Sequence, residues 1–558
     1  MPLNDSVTRK PLPIILIRGF GGLDIEDEQA LAYQGFNVGT VYPQKYGENY
    51  IYEGFILRLV KSELGYRDAT NVVGYYPRDV HHTCKRSGKT ETMSDEYFTG
   101  DRVIMDAAMT ESLLTEVPDP LRTIWVLRYY DLGDRTLERY GKALKRLIEL
   151  IQAVSQCAHG ESTKVNIIAH SMGGLIARQC VQITYPEAPG APKAETDINK
   201  IVTLGTPHQG VSFQVLSQIG WLPIGASDEL KSFSPGKQAD KSFELSFKNF
   251  AKHFPTERML TVVGTNYRSY DVGVASFLNR LFSQAGEGGR AYNRSDGLVK
   301  ITNAQVPNCP RTFVHKCHGG PDSLVTARES YEVATRFFHG NVRVRLRLLE
   351  GQVLRGMDWI GRSEFFFGVS VKPRFVDFEL FHQSRDAENC YGPFNDVHLN
   401  ELPDDTAFGW AGPNRLIWEG FLKIKEDNLA DDNGSTLMKR NRDMVFRTDF
   451  YIGERDTFGV GFSDNVVYRK QYYVRAVQTK TGHPPKFWLY NGENFEGDRA
   501  DQVRVPSKTR NEMKPDSEGW IFEVKGTGFE GKLRIELDWV PEVGSPIPVK
   551  VHSDIAET

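Results

Sequence analysis

Long apolar runs, paired cysteines and a charge of one dominant sign are all missing from this chain of 558 residues, and each absence excludes something. No stretch approaches the roughly 18 apolar residues that a membrane-spanning helix needs. The first ten residues, Met-Pro-Leu-Asn-Asp-Ser-Val-Thr-Arg-Lys, hold no apolar segment of the secretory kind ahead of the first strand candidate. The expectation is a cytoplasmic protein, with export by a route that needs no signal left open. Six cysteines lie scattered at 84, 157, 180, 309, 317 and 390, in no spacing that suggests a disulfide framework or a zinc knuckle. Reduced thiols are the plain reading, and Cys309 with Cys317 form a pair only if the chain is exported. The formal net charge of −4 gives no basic footprint for nucleic acid. A 40% hydrophobic and 25% charged composition is that of a folded globular protein, and the length calls for at least two domains. No internal repeat is visible.

Residues 13 to 340 alternate strands with helical patterns. Pro13-Ile-Ile-Leu-Ile17 and Thr123-Ile-Trp-Val-Leu127 read as short buried strands. Leu144, Leu147, Ile148 and Ile151 recur at helical spacing within 137–154. Further strands are expected at 164–169, 201–204 and 260–263, and a last helix from Leu324 to Phe338 ends near Gly340. Such alternation predicts an α/β fold around a mostly parallel, doubly covered sheet, in a first domain over 1–340. Two stretches break the pattern, about 75–120 and 215–255, and are expected to form caps or lids at the sheet's C-terminal edge. After Gly340 the period changes to two. Val342, Val344, Leu346 and Leu348 alternate with Arg343, Arg345 and Arg347, and Leu533, Ile535, Leu537 and Trp539 alternate in the same way. Other short strands are expected at 365–371, 376–381, 417–422, 467–474 and 520–524. Six of the eight tryptophans fall in this part. A separate all-β sandwich over 341–542 is predicted, followed by a loose tail over 543–558.

The chemistry concentrates at Val165-Asn-Ile-Ile-Ala-His-Ser-Met-Gly-Gly174, where an apolar strand stops at a serine and a helix begins after two glycines. A hydroxyl on such a turn stands above the sheet edge beside the first amides of a helix, which suits a nucleophile and the anion it generates. Ser171 is the candidate nucleophile. The amide of Met172 and that of Phe20, in the loop Arg18-Gly-Phe-Gly-Gly22, are the candidate oxyanion donors. A serine needs a base and the base an orienting acid. Asp296, in Asn293-Arg-Ser-Asp-Gly-Leu-Val299, is the candidate acid, with Asp271 as fallback. The loop Phe313-Val-His-Lys-Cys-His-Gly-Gly320 offers two bases. His318 is favoured because two glycines follow it; His315 is the rival, ending an apolar run. Asp322 reads as the cap of the last helix.

The residues Arg18-Gly-Phe-Gly-Gly, Ala-His-Ser171-Met-Gly-Gly, Gly205-Thr-Pro-His-Gln-Gly210 and Ser295-Asp-Gly-Leu-Val resemble those of the α/β-hydrolase lipases, bacterial triacylglycerol lipases and inositol-deacylase-like lipases in particular. The resemblance covers about residues 11–340. It implies an eight-stranded-type sheet, ester hydrolysis and a mobile cap. Two departures stand out: Ala169 occupies the first glycine of the usual elbow, and Arg18 the usual histidine of the oxyanion loop.

The expected function is a serine carboxylic-ester hydrolase, a lipase or esterase, working through a Ser-His-Asp triad and an acyl-enzyme without a cofactor. Its partner is an ester or lipid substrate, and nucleic acid is not a partner. Tyr75, Tyr76, Trp221, Leu222 and Ile224 offer an apolar acyl groove. Two alternatives remain. One is a phospholipase, an exported effector included, whose β domain contacts a membrane surface; the Arg343, Arg345 and Arg347 row is weighed as a contact for anionic headgroups, with a solvated strand face as the more ordinary account. The other is a binding module on a vestigial hydrolase fold. His208 and His170 read as loop-bracing and packing residues. The His81, His82 and Cys84 group and the Asp427, Asp431, Asp432 and Asn433 group are weighed as metal sites and set aside as polar lid and solvated turn.

Overall fold

The structure, a computed structural model, describes residues 11–19, 36, 40–41, 50–51, 54–70, 73–74, 80–83, 90–93, 104–105, 121–127, 136–159, 162–187, 190, 193–210, 234–269, 294–354, 363–374, 376–403, 409–422, 425–426, 442–456, 465–478, 486–491 and 510–540. Among these residues, seven strands form the central sheet: β1 (Ile14–Ile17), β2 (Arg67–Asp68), β3 (Thr123–Val126), β4 (Val165–His170), β5 (Ile198–Leu204), β6 (Met259–Gly264) and β7 (Arg311–Val314). Their order is β7-β6-β5-β4-β1-β3-β2, and every pairing is parallel.

A parallel sheet is covered on both faces, so its strands are apolar on both. Ile15, Ile17, Ile167, Ala169 and Ile201 point to one core, which the helices α2 (Leu137–His159) and α3 (Met172–Gln179) close with Leu144, Leu147, Ile148, Ile151, Leu175 and Ile176. The alternate residues Ile14, Leu16, Ile124, Ile168, Val202 and Val262 point to the other, closed by Phe55 and Leu59 of α1 (Phe55–Lys61) and by Ala334 and Phe337 of α4 (Arg328–His339). The period of two along each strand therefore assigns every residue to a face.

One expectation about this part needs correction. The last helix starts at Arg328, with Ala327 at its cap position and no side-chain cap; Asp322 pairs with Lys316 at 2.7 Å instead. Residues 234–255, expected as part of a cap, contribute Leu245, Phe250 and Phe254 to the α2–α3 core. These side chains are almost fully buried. Cys309 and Cys317 are both buried free thiols. Of the expected cap over 75–120 only Val80–Thr83, Thr90–Met93 and Ile104–Met105 are described; residues 215–233, the groove residues Tyr75, Tyr76, Trp221, Leu222 and Ile224, and the tail 543–558 lie outside the described residues, as do Asp271, Cys84, Asp427, Asp431, Asp432 and Asn433. His81 and His82 fall in a short strand, Val80–Thr83, that pairs antiparallel with Thr90–Met93.

Beyond Gly340 the sheets are antiparallel. The strand β8 (Val342–Val353) lies between β20 (Phe529–Trp539) and β12 (Leu416–Leu422) in a five-stranded sheet, with β19 (Trp520–Lys525) and β18 (Lys514–Pro515) beyond β20. An eight-stranded sheet runs β10 (Phe381–His382), β9 (Ser363–Pro373), β14 (Arg442–Asp456), β15 (Asn465–Gln478), β16 (Lys486–Asn491), β17 (Arg510–Glu512), with β11 (Tyr391–Phe394) on β9 and β13 (Lys425–Glu426) on β14. Inward residues of both sheets, among them Val344, Leu346, Phe367, Val369, Phe450, Leu533 and Ile535, share one apolar core. The outward arginines of β8 are paired with carboxylates: Arg343 with Glu419, Arg345 with Glu536 and Asp538, Arg347 with Glu536. Each of the three guanidinium groups thus faces at least one carboxylate.

Candidate active site

The strand β4 ends at His170 and α3 begins at Met172, so Ser171 alone makes the turn. Its backbone sits at φ 52° and ψ −123°, a conformation that costs a non-glycine residue about 1–3 kcal/mol. Neighbouring chain holds it there. The Ser171 amide donates to Leu204 O at 2.9 Å. A Cβ on Gly173 would lie 2.5 Å from Ile17 O, and one on Gly19 would lie 2.6 Å from Ser171 Cβ. Backbone of the β1 loop thus presses against the serine from one side and against the helix start from the other. Phe20, the expected second oxyanion donor, lies outside the described residues. Met172 occupies the first helical position, where an amide has no partner within the helix. Arg18 is buried and its Nε donates to Gly19 O at 3.4 Å, so it folds back onto its own loop.

Two loops from the far strands reach the serine. After β7 the chain places His318 with Nε2 2.9 Å from Ser171 Oγ. Its Nδ1 lies 2.8 Å from Asp296 Oδ2. The other carboxyl oxygen of Asp296 accepts the amides of Leu298 at 3.0 Å and Val299 at 2.7 Å. The His318 amide donates to Asp296 O at 2.8 Å, which ties the two loops at backbone level. Gly205 (φ 56°) and Gly264 leave the room: a Cβ on Gly205 would come within 2.8 Å of Asp296 Oδ2, and one on Gly264 within 2.6 Å of Asp296 Cβ. Gly205 was visible in the Gly-Thr-Pro-His motif, but its job beside the acid was not. Asp296 and His318 are both nearly fully buried.

The other histidines do different things. His170 lies against His318 with ring centroids 4.9 Å apart, and its Nε2 donates to His318 O at 2.9 Å. Burial first, then the neighbouring His318, hold its pKa well below 6.5, so His170 is a neutral strut under the base loop. His315 points elsewhere: its Nδ1 is 3.3 Å from Thr265 Oγ1 and its ring 5.6 Å from that of His382. Burial and His382 push it down to about 4. Of the two rival bases, the structure brings His318 to the serine. His208 is buried with Nε2 3.0 Å from Thr203 Oγ1. Its carbonyl accepts from Arg178, a buried guanidinium that also bonds Gln182, Gln238 and Leu245 O. No carboxylate is among these partners, and burial lowers the Arg178 pKa to about 9. Among the described residues no group of three or more His, Cys, Asp or Glu side chains could hold a metal ion. No described helix is long and apolar enough to cross a membrane.

A doubly covered parallel sheet, with a strained serine between a central strand and the helix that follows, defines the α/β-hydrolase fold. Residues 130–220 match the family model described as the PGAP1-like alpha/beta domain. No protein of curated function matches the chain. Similar solved structures include the lipase BlEst2 of Bacillus licheniformis, 16% identical over 60% of this chain and 94% of that one, with a TM-score of 0.28. The product of the gene lin2722 of Listeria innocua is 15% identical over 59% and 94% of the two chains, at a TM-score of 0.27. Phospholipase PlaB of Legionella pneumophila is 11% identical over 72% and 94%, also at 0.27.

Proposed function

We propose that the chain is a serine hydrolase of carboxylic esters, a lipase or esterase, in which Ser171, His318 and Asp296 act as nucleophile, base and orienting acid. The observation that carries this reading is the unbroken chain Ser171 Oγ–His318–Asp296 at 2.9 and 2.8 Å, joined from three separated stretches of sequence. Loop-bracing hydrogen bonds do not require a strained serine at their outer end.

In the first step His318 Nε2 takes the hydroxyl proton as Ser171 Oγ attacks the ester carbonyl. Asp296 holds Nδ1–H and stabilises the imidazolium that forms. The amides of Met172 and Phe20 receive the oxyanion; one such donor is worth about 3 kcal/mol in the transition state. The tetrahedral intermediate collapses, the alcohol leaves with the proton from His318, and the acyl group stays on Ser171. Water, deprotonated by His318, attacks the acyl-enzyme and the acid departs with Ser171 reprotonated. This reading assigns the chemistry to residues 1–340 and leaves 341–542 as an accessory β unit.

Active-site labelling with a fluorophosphonate tests the reading. Wild type is expected to label at one site, and Ser171→Ala to stay unlabelled. A wild type that stays unlabelled, with no hydrolysis of aryl esters from acetate to palmitate or of phospholipid, defeats it and favours a vestigial site.

A further inference from the structure

We infer that the β-rich region takes part in positioning the acid of the triad, with Glu388 as the residue that joins it to the acid loop. This deepens the hydrolase reading and rests on it for its meaning in catalysis. The orientation of the Asp296 carboxyl is set by the two amides that bond Oδ1, those of Leu298 and Val299. The side chains of these two residues, with Ile301 and Ala304, do not belong to either core of the parallel sheet. They are buried in the core formed by Val369, Phe381, Tyr391, Trp410 and their neighbours beyond Gly340. Cys317, adjacent to His318, is buried in the same core. Val263 of β6 and Phe313 of β7 belong to that core as well, so the seat of the acid loop is shared between the edge of the parallel sheet and the second unit.

The start of the loop is tied down by polar contacts. Arg294 (φ 40°) turns the chain into Ser295 and Asp296. Its guanidinium donates to Gly392 O at 3.4 Å, and its amide to Glu388 Oε2 at 3.5 Å. Glu388 Oε1 accepts the hydroxyl of Tyr267 at 3.0 Å. Tyr267 follows β6, whose last residue, Gly264, leaves the space that Asp296 Cβ occupies. One carboxylate from the β-rich region thus spans the two segments that flank the acid. It is held at φ 52° in a turn whose amide donates to Arg385 O at 3.0 Å. A charged acceptor bonding both sides resists their separation more than a neutral one would. Productive triads tolerate only a small displacement.

The test uses the full chain with Glu388→Ala, Glu388→Gln and the control Glu523→Gln, an exposed carboxylate of β19. Two readouts are taken: hydrolysis and fluorophosphonate labelling rates, and amide hydrogen exchange over residues 294–301. Glu388→Ala is expected to exchange faster over 294–301 and to lose about tenfold in kcat and labelling rate with KM within about twofold, since the acid is displaced and not the substrate. Glu388→Gln keeps an oxygen for Tyr267 but turns an NH2 toward the Arg294 amide, so an intermediate effect is expected. Glu523→Gln should match wild type in both. If Glu388→Ala fails to fold, Glu388→Gln decides by the same readouts. Folded variants with wild-type exchange and wild-type kcat overturn the inference. A wild type inert to fluorophosphonate defeats the hydrolase reading alone; faster exchange over 294–301 in the variants then still supports the bracing.

Discussion

Asp296→Asn is the substitution whose outcome the geometry constrains most tightly. The side chain keeps its shape but has one oxygen in place of two. Two amides, from Leu298 and Val299, donate to Oδ1, whereas only His318 Nδ1 faces Oδ2. Turning the amide NH2 toward two N–H donors would leave them unpaired at a buried site, at about 1–3 kcal/mol for each. The asparagine oxygen therefore stays on the loop amides, and its NH2 faces His318. Against an NH2 donor, Nδ1 must be the acceptor, which puts the imidazole proton on Nε2, directed at Ser171 Oγ. The base then holds a proton where it should receive one. A wrong tautomer of this kind costs about 10,000-fold in kcat, or about 5.4 kcal/mol at 1.36 kcal/mol per decade. Stability should change by less than about 2 kcal/mol, since packing and both amide bonds survive. Hydrolysis of p-nitrophenyl butyrate, fluorophosphonate labelling and thermal unfolding measure the three quantities. A variant within about tenfold of wild type in kcat, with its fold intact, refutes the role given to Asp296.

Two other expectations concern stability. Ser171→Gly and Ser171→Ala both remove the hydroxyl, but only glycine accepts φ 52° and ψ −123° without strain. Ser171→Gly should therefore unfold at a temperature about 1–3 °C above Ser171→Ala; equal melting would mean that the serine stores no strain. Acid should destabilise the protein through its buried histidines. The pKa values of His170, His208 and His382 lie below 6.5, and that of His315 at about 4, with burial the largest cause in each. Above pH 6.5 these rings are neutral both folded and unfolded and add no slope. Below it the unfolded chain binds protons that the folded chain refuses, so stability falls as pH falls toward 4. His315→Asn should flatten that slope in a melting series from pH 7 to pH 4.5, and an unchanged slope would contradict the assignment.

Much of the parallel sheet was legible because burial on both faces demands uninterrupted apolar strands. Ile14–Ile17 and Ile201–Leu204 announce themselves by that alone. The long strand β14, Arg442–Asp456, did not, because Arg442, Asp443, Arg447, Asp449, Glu454 and Arg455 obscure the alternation of Phe446, Phe450 and Ile452. Two of those charges meet partners in other segments, Glu364 for Arg455 and Glu379 for Arg447, and a linear reading does not contain them. The same holds for the arginine row of β8, which looks like a basic face until Glu419, Glu536 and Asp538 are brought beside it.

At the site, local chain chemistry was enough to mark Ser171, since a strand, a sharp turn and a helix start are all encoded within ten neighbouring residues. Composition and spacing could also narrow the acid and the base to a few candidates. The chain favours His318 over His315, but only three dimensions show what each imidazole meets. Both follow β7 within four residues, yet one imidazole meets Ser171 Oγ and the other meets Thr265 and His382. Long-range packing likewise gave Leu298 and Val299 their seat in a core shared by Val263 and Phe313 with residues beyond 340. Local periodicity sets which way a side chain faces; only closure of the chain sets what it faces.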